Sequence, residues 1–375
     1  MKIGIVCYPT FGGSGVVATE LGLELSKKGH EVHFITYSQP VRLELLSANV
    51  HFHEVHVPNY PLFHYQPYEL ALSSKIVDMV KVHQIDVLHV HYAIPHAYAA
   101  YMAKKILLEK GKYLPVVTTL HGTDITLVGK NPSYRPAVTF SINKSDVVTS
   151  VSESLKKDTL SSFVIKNEIE VIPNFIDIDL YQVEEECNRA QIAPNNERIV
   201  IHISNMRELK RIPDVISIFH RIQKEEDAIL LMLGDGPERE RAEQQVRDLG
   251  IADKVKFLGK TTEVRRLLCM SDLFLLTSEN ESFGLVALEA MAAKVPVISS
   301  NAGGIPEVNV HGVTGYLASP GAVEEMATYS LSLLQDDEKL AQFKQQAFEH
   351  AKKFSIEKIV PMYEAAYEKA LMAIW

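Results

Sequence analysis

Cysteine is scarce in this chain, with only Cys7, Cys187 and Cys269 among 375 residues. Because their number is odd and their spacing wide, the sequence predicts neither a disulfide framework nor a zinc site built on cysteine. Cys7 follows a short apolar run and is expected to be a small, buried core residue. The cysteine content therefore favours a reducing compartment.

Long apolar runs and clusters of basic charge are also missing. No apolar run approaches the roughly 20 residues that span a bilayer, and residues 2–7 are typical of a strand rather than of a signal peptide. Lysine and arginine total 38 against 47 acidic residues, a formal net charge of −9, which disfavours a nucleic-acid partner. These absences predict a cytoplasmic protein without stable membrane insertion; they leave the oligomeric state open, a homo-oligomer included.

Short β-branched runs alternate with amphipathic stretches along most of the sequence. This alternation predicts an α/β protein with parallel sheets and right-handed crossovers. The predicted strands are residues 3–7, 32–36, 87–90, 116–120, 147–151, 199–203, 229–233, 255–258, 273–276 and 295–299. The predicted helices are residues 16–28, 68–82, 213–223, 239–249, 263–270 and 284–293, followed by a helical tail over 322–375.

The length of the chain predicts two domains. We place the boundary near residues 173–177, which gives an N-terminal domain over 1–172 and a C-terminal domain over 173–356. Two facing, doubly wound, Rossmann-like domains would enclose a cleft at the carboxyl ends of their strands, where such folds bind ligands. Functional residues are therefore expected in the loops that follow strands.

A glycine-rich loop, Gly12-Gly13-Ser14-Gly15, follows the first strand and opens a helix. Its amides would suit a phosphate or carboxylate. Residues 13–18 also match the dinucleotide fingerprint, but an NAD enzyme needs an acidic residue at the end of the second strand, and Glu31 lies at the opposite end. A turn that only packs helix on sheet is the remaining alternative.

Two glutamates, Glu281 and Glu289, flank the start of a helix at Phe283-Gly284. Amides at this helix start could meet a diphosphate, while the carboxylates accept hydrogen bonds from sugar hydroxyls. The alternative is a pair of solvated carboxylates. The apolar composition of residues 285–293 favours a bound partner for Glu289.

These motifs, in this order, resemble the GT4 family of retaining glycosyltransferases, which have the GT-B fold. The resemblance spans nearly the whole chain. Its motifs are the glycine-rich loop, His121-Gly-Thr-Asp124, Pro173-Asn174, Gly234-Asp-Gly-Pro237, the glutamate pair and Gly303-Gly304. In this fold the final helix, about 357–375 here, usually packs back on the N-terminal domain.

The resemblance implies a role for individual residues in a UDP-sugar site. Glu289 would bind the ribose, and His121 the primary hydroxyl of the donor sugar, unless it is a structural histidine. Lys210 and Arg207 would stabilise the diphosphate; the family usually has arginine where this chain has Asn205. The implied catalytic residues are His121, Arg207, Lys210 and Glu281. The implied donor-binding residues are Gly13, Ser14, Asn205, Arg207, Lys210, Glu281, Phe283, Gly284, Leu285 and Glu289.

A metal site is considered at His89 and His91, which alternate along a strand and so share one face. Asp86 is the only carboxylate near them in sequence, and no cysteine lies close by. We therefore expect one histidine to pack in the core and the other, with Tyr92, to line the cleft. No metal and no cofactor are predicted. The divalent-ion site built on Asp-x-Asp in the other glycosyltransferase fold is not expected.

Within the family, the chain resembles a member that transfers N-acetylglucosamine from UDP-N-acetylglucosamine to L-malate, the first step of bacillithiol biosynthesis. The partners implied are thus a UDP-sugar and a small anionic acceptor. The candidate acceptor-binding residues are Ser14, Tyr92, Thr119 and Arg135, with Arg42 a weaker one. A different acceptor (an inositol phosphate, a lipid or a glycan) and a non-enzymatic nucleotide-sugar sensor are the alternatives. A lipid acceptor would call for a basic docking surface, for which residues 101–113 are a weak candidate.

Overall fold

The computed structural model describes residues 1–10, 12–41, 43, 49–59, 61–62, 64–182 and 187–373. The chain forms two compact units, Met1–Phe175 with Ile356–Trp375, and Ile176–Ser355. We call them the first and the second unit. Arg42, the weaker acceptor candidate, lies outside the described residues.

The first unit is built on a seven-stranded, fully parallel sheet with the strand order β3-β2-β1-β4-β5-β6-β7. Its strands are β1 Lys2–Val6, β2 Glu31–Thr36, β3 Val50–Glu54, β4 Val87–His91, β5 Val116–Leu120, β6 Val147–Ser150 and β7 Ile169–Val171. Its helices are α1 Ser14–Lys27, α2 Tyr68–His83, α3 Tyr98–Leu108, α4 Arg135–Lys144, α5 Glu153–Ser162 and α13 Ile356–Met372. The central strands are buried on both faces, which explains their near-continuous apolar sequence.

The second unit has a six-stranded parallel sheet with the order β10-β9-β8-β11-β12-β13. Its strands are β8 Arg198–Ile203, β9 Ala228–Leu233, β10 Val255–Gly259, β11 Leu273–Leu276, β12 Val297–Ser300 and β13 Gly315–Ala318. Its helices are α6 Ile212–Glu225, α7 Arg239–Asp248, α8 Val264–Cys269, α9 Leu285–Ala292, α10 Ile305–Val308, α11 Val323–Leu334 and α12 Asp337–Ala351. The prediction of two doubly wound α/β units is confirmed.

Three strands, β3, β7 and β13, were not predicted, and each lies at an edge of its sheet. Strand β3 alternates histidine with apolar residues, and β7 has only three residues. Strand β13 begins at Gly315, where a side chain would stand 1.8 Å from the carbonyl oxygen of Val297. Edge strands are half-exposed or short, so they lack the continuous apolar run on which the prediction relied.

The predicted absence of a disulfide is wrong. Cys187 and Cys269 form one, with Cα atoms 5.8 Å apart despite a separation of 82 residues along the chain. Cys269 ends α8, and the fold brings residue 187 beside it. Spacing along the sequence could not show this contact. The cysteine content therefore no longer supports a reducing compartment, although Cys7 is free and buried as predicted.

Across the part of the chain that the structure describes, none of the helices combines the length and the apolar character that crossing a membrane demands. The basic docking surface considered over residues 101–113 is weakened further by hydrogen bonds within the protein. Lys104 donates to Asp146 at 2.7 Å, and Lys112 donates to the Val80 carbonyl at 3.2 Å. These lysines are held by protein acceptors.

Candidate functional site

In the second unit, Lys210 and Glu281 meet at the carboxyl ends of neighbouring strands. Lys210 follows β8 and Glu281 follows β11, and these two strands pair directly. The Lys210 ammonium forms an ion pair with the Glu281 carboxylate, whose Oε1 also accepts from the Ser278 hydroxyl at 2.8 Å. The side chains are only 15% and 16% exposed. The ion pair thus fixes the Lys210 ammonium at the strand ends, where the Glu281 carboxylate balances its charge.

The backbone around this ion pair is held by glycines at close approaches. A side chain at Gly303 would stand 2.1 Å from the carbonyl oxygen of Glu281, and one at Gly304 would stand 2.4 Å from that of Ser282. The Gly304 amide donates to the Glu281 carbonyl at 2.8 Å. Gly284, immediately before α9, has φ = 93°, which only glycine adopts without strain. The turns after β11 and β12 therefore pack backbone to backbone.

Glu289 lies on α9, where the Tyr181 hydroxyl donates to its Oε1 at 3.1 Å. The sequence predicted a partner for this carboxylate and did not identify Tyr181. Tyr181 is buried, with only 5% of its surface accessible. Tyr181 and Glu289 lie 108 residues apart along the chain, so no local sequence pattern could have identified this contact.

The other predicted phosphate ligands of the second unit lie at the surface. Asn205 and Arg207 are exposed, and within the described residues the Arg207 guanidinium makes no ion pair. The segment is shaped by glycines of the next loop, since a side chain at Gly236 would stand 2.0 Å from the Asn205 carbonyl oxygen. Arg207 is thus an accessible cation on a constrained backbone.

In the first unit, the loops after β4 and β5 bring a set of neutral histidines together. His91 Nδ1 lies 2.8 Å from His121 Nε2, and His96 Nδ1 lies 2.5 Å from the His91 carbonyl oxygen. Burial lowers the pKa of His121 to about 3 and that of His96 to about 4. These rings are therefore uncharged at neutral pH and act as hydrogen-bonding groups.

Asp124 holds these two loops together. Its carboxylate accepts from the Ala93 amide at 2.7 Å and from the Gly122 amide at 3.1 Å. Burial raises the pKa of Asp124 to about 6, although the backbone hydrogen bonds act in the opposite direction. A buried carboxylate with amide donors on both loops fixes the position of His121 relative to β4.

Ser14 and Tyr92, two of the predicted acceptor ligands, are in contact. The Ser14 hydroxyl lies 2.5 Å from the Tyr92 hydroxyl, at the start of α1. Tyr92 has φ = 85°, an uncommon backbone conformation for a residue other than glycine. Gly13 precedes the helix with φ = 57° and is exposed. The structure thus joins the glycine-rich loop to the loop after β4.

Thr119, another predicted acceptor ligand, lies in the interior. Its hydroxyl is 2.7 Å from His89 Nε2 and 2.7 Å from the Thr149 hydroxyl. His89 Nδ1 in turn lies 2.8 Å from the Tyr367 hydroxyl of α13. Thr119 is fully buried, and its hydroxyl contacts neighbouring side chains rather than solvent.

The expectation that one histidine of the pair on β4 lines the cleft is wrong, because His89 and His91 are both fully buried. Their ring centroids are 4.4 Å apart. His89 has both nitrogens in contact with other residues, whereas His91 Nε2 has no hydrogen-bond partner among the described residues.

Arg135 begins α4 and is exposed, and its guanidinium donates to the Ser162 carbonyl at 2.6 Å. Over the described ranges, no hydrogen bond or ring contact joins it to Ser14, Tyr92 or Thr119. The structure therefore does not gather the four predicted acceptor ligands into one cluster.

The chain does contain one Asp-x-Asp sequence, Asp177-Ile178-Asp179. The Asp177 carboxylate accepts from the Asp179 amide at 3.1 Å and so stabilises a local turn. Among the residues that the structure describes, no third histidine, cysteine or carboxylate joins these two to form a metal-binding group.

Comparison with known proteins gives a consistent result for both units. The model described as Glycosyltransferase Family 4 matches residues 11–180, and that described as Glycosyl transferases group 1 matches residues 184–350. The N-acetyl-alpha-D-glucosaminyl L-malate synthase of Bacillus anthracis is 48% identical over 378 aligned residues, which cover 99% of this chain and 97% of that protein.

Solved structures share the fold. A glycosyltransferase from Rickettsia africae has a TM-score of 0.80 at 21% identity, covering 99% of this chain and 98% of that one. Anabaena Alr3699/HepE, in complex with UDP and glucose, has a TM-score of 0.79 at 23% identity, covering 98% and 99%. At such identities the likeness establishes the two-unit fold, in agreement with the predicted GT-B architecture.

Proposed function

Because this chain belongs to glycosyltransferase family 4, we propose that it transfers N-acetylglucosamine from UDP-N-acetylglucosamine to the hydroxyl of L-malate. The relative that is 48% identical over nearly the whole of both chains carries the name of that reaction. The structural observation that carries the proposal is the Lys210–Glu281 ion pair at the strand ends of the second unit. It supplies a positioned cation beside backbone amides, as a departing diphosphate requires.

The donor site is proposed in the second unit. Lys210 stabilises the negative charge that develops on the diphosphate, with Arg207 as the second, accessible cation. Glu281 positions Lys210 and accepts from a sugar hydroxyl, and Glu289, oriented by Tyr181, accepts from the ribose hydroxyls. Phe283, Gly284 and Leu285 provide the backbone of this site, and Asn205 donates a neutral hydrogen bond where the family usually has arginine.

The transfer is proposed to retain the configuration at the anomeric carbon. The malate hydroxyl oxygen forms a bond to that carbon on the face from which UDP departs, and the bond from carbon to the β-phosphate oxygen breaks. The hydroxyl proton passes to the departing β-phosphate. A double displacement would need a carboxylate nucleophile, and Glu281 is already paired with Lys210.

The acceptor side and the donor sugar are proposed to use the first unit. His121 is neutral at pH 7 and can share a hydrogen bond with the primary hydroxyl of the sugar. Ser14 and Tyr92 offer paired hydroxyls, and Gly13 an exposed backbone position at the start of α1. Malate is a dianion, so Arg135 is the proposed counter-charge, on condition that it leaves the Ser162 carbonyl.

The proposal is tested with purified protein and UDP-N-acetylglucosamine in the presence of excess EDTA. We expect UDP release with L-malate and an α-linked product by proton NMR of the anomeric position. Monocarboxylate and neutral analogues should be poorer, because they leave donors of the site unpaired. Turnover only with a lipid, an inositol phosphate or a glycan would retain the family activity and refute the malate acceptor. UDP-sugar binding without turnover on any acceptor would support a sensor.

A further inference from the structure

A second group of titratable side chains lies on the outer strands of the sheet in the first unit, apart from the residues of the proposed transfer. It consists of Glu31 and His33 on β2, His51 and His53 on β3, and His83 at the end of α2. We call these five residues the edge histidine cluster.

The register of the sheet explains why these residues meet. His33 is the direct partner of His51 in the parallel pairing of β2 with β3. Glu31 and His53 lie two residues from His33 and His51 along their strands, so all four point to the same face of the sheet. Helix α2 packs against β2 and ends at His83. Three separate elements thus bring their polar side chains to one place.

Three of the imidazoles are spaced as the ligands of one ion would be. His33 Nδ1 lies 2.9 Å from His53 Nε2. The His83 ring centroid is 4.7 Å from that of His33 and 4.8 Å from that of His53. One nitrogen from each ring lies within 4.8 Å of the others. Nitrogens bound to tetrahedral zinc at about 2.0–2.1 Å are roughly 3.4 Å apart, so small side-chain rotations suffice.

The other nitrogen of His33 has the partner that a metal-binding histidine usually has. His33 Nε2 lies 3.1 Å from the Glu31 carboxylate, which is itself 3.0 Å from the Lys2 ammonium. A carboxylate that accepts from the far nitrogen fixes the tautomer and leaves Nδ1 free to bind a cation. This arrangement orients the lone pair of His33 towards His53.

Three charged side chains flank the histidines. Lys75 adds positive potential at His53. Glu31 adds negative potential at His33 and is itself paired with Lys2. The Glu31 carboxylate therefore favours a cation beside His33.

We propose that His33, His53 and His83 form a binding site for a divalent transition-metal ion of the zinc type, with Glu31 as the partner that orients His33. Imidazole ligands suit zinc and its neighbours rather than magnesium or calcium. An ion bound there would link the edge strand β3 to β2 and α2. It goes beyond the proposed transfer, for which we expect no ion to be needed.

A second combination, Glu31, His33 and His51, shares one member with this set. His51 Nε2 lies 3.6 Å from the Glu31 carboxylate, and the His51 side chain is 40% exposed. Glu31 would have to leave Lys2 to become a ligand there. The set of three histidines requires no such exchange, and we therefore assign the ion to it.

The test uses the full chain, free of any polyhistidine tag and stripped with EDTA. Zinc is titrated against a chromophoric chelator, and bound metal per chain is measured by mass spectrometry. We expect saturation at a single equivalent and a higher thermal midpoint with zinc. His53→Gln and His83→Gln should each weaken binding by more than about 100-fold, the upper range for loss of an outer partner. Glu31→Gln should weaken it by about 10–100-fold.

Matched variants separate this site from non-specific binding by histidine. His51→Gln, and His56→Gln at an exposed position on the same segment, should leave the affinity unchanged. His33 is fully buried, so the test relies on the half-buried His53 and His83. Absence of saturable binding, or binding that survives both substitutions, would overturn the proposal. If zinc binding is lost in His51→Gln but retained in His53→Gln, this set of ligands is wrong. Neither result depends on transferase activity, which we expect to persist in EDTA.

Discussion

Our proposal places ligand-binding residues at the carboxyl ends of parallel strands in both units, but the electrostatics of these residues differ between the two. In the second unit a half-buried ion pair, Lys210 with Glu281, is supported by glycine turns. In the first unit the corresponding loops carry neutral imidazoles, and the buried carboxylate of Asp124 has its pKa raised to about 6. The contrast suits a transferase in which one side stabilises a departing diphosphate and the other orients neutral hydroxyls.

The largest expected difference between the units is in their response to acid. On β4 and in the loops after β4 and β5 of the first unit, burial holds the pKa of several histidines far below the usual 6.5. The affected residues are His89, His91, His96 and His121. In the unfolded chain these histidines bind protons below about pH 6.5, whereas in the folded unit His96 does so only near pH 4 and His89 and His121 only near pH 3. The free energy of unfolding therefore falls as the pH drops below about 6.5. At pH 5 we expect a loss of about 1–2 kcal/mol for each buried histidine.

Asp124 acts in the opposite direction, because its raised pKa lets the folded protein take up a proton from about pH 6 downwards. One carboxyl group offsets only part of the effect of four histidines. In the second unit, burial lowers the pKa of His202 to about 4, and smaller shifts affect His220 and His350. Hydrogen exchange at pH 7 and pH 5, corrected for intrinsic rates, should show the greater loss of protection in the first unit. Equal losses in both units would contradict this.

Removing the cation of the second unit should have the next largest effect. Lys210→Ala is expected to lower kcat/KM by on the order of 10²-fold or more, because a preorganised charge that stabilises the leaving group is lost. Steady-state kinetics measure this, with Lys224→Ala, at an exposed position on α6, as the matched control. Arg207→Ala tests the second cation in the same assay. A kinetically silent Lys210→Ala would remove Lys210 from the mechanism.

Glu289 tests nucleotide binding separately from catalysis. Glu289→Ala should weaken UDP binding by about 1.5–3 kcal/mol, the range for hydrogen bonds to a charged group. Tyr181→Phe removes only the orienting hydroxyl and should cost about 0.5–1.5 kcal/mol. Isothermal titration with UDP measures both changes, and Glu240→Ala on α7 serves as a control. Unchanged affinity in a folded Glu289→Ala protein would refute the ribose contact.

The smallest expected effects are on the acceptor side of the first unit. Tyr92→Phe and Ser14→Ala each remove one neutral hydrogen bond and should raise the KM for malate by roughly 2–10-fold, with little change in UDP affinity. Arg135→Ala should raise the KM more, since it removes a charge that faces a dianion. If Arg135→Ala alters only thermal stability, its bond to the Ser162 carbonyl is its whole role.

The same contrast explains what the sequence could predict. The spacing of Glu281 and Glu289 around a helix start singled out both carboxylates, and the resemblance to the family added Lys210, which lies against Glu281 in the structure. Their roles in a donor site stay predictions. Neutral residues of a site, in contrast, cannot be distinguished from core residues by sequence pattern. Thr119 was taken for a ligand although His89 and Thr149 occupy its hydroxyl, and His96 was not singled out.

Contacts between residues far apart in sequence were the second limit on prediction. Tyr181 with Glu289, and Cys187 with Cys269, join residues far apart in sequence, and no local pattern marks either pair. The edge strand β3 was missed because its histidines interrupt the apolar run. The alternation of strands and helices, by contrast, depends on local periodicity, and it gave the doubly wound architecture of both units.

The central claim is that the second unit binds UDP and the first unit binds malate. It is tested most directly by titrating UDP into the Lys210→Ala and Tyr92→Phe proteins side by side and by measuring the KM for malate of each. The account predicts that Lys210→Ala weakens UDP binding, whereas Tyr92→Phe leaves it unchanged and raises the KM for malate. Equal losses of UDP affinity in the two variants, or loss in Tyr92→Phe alone, would contradict it.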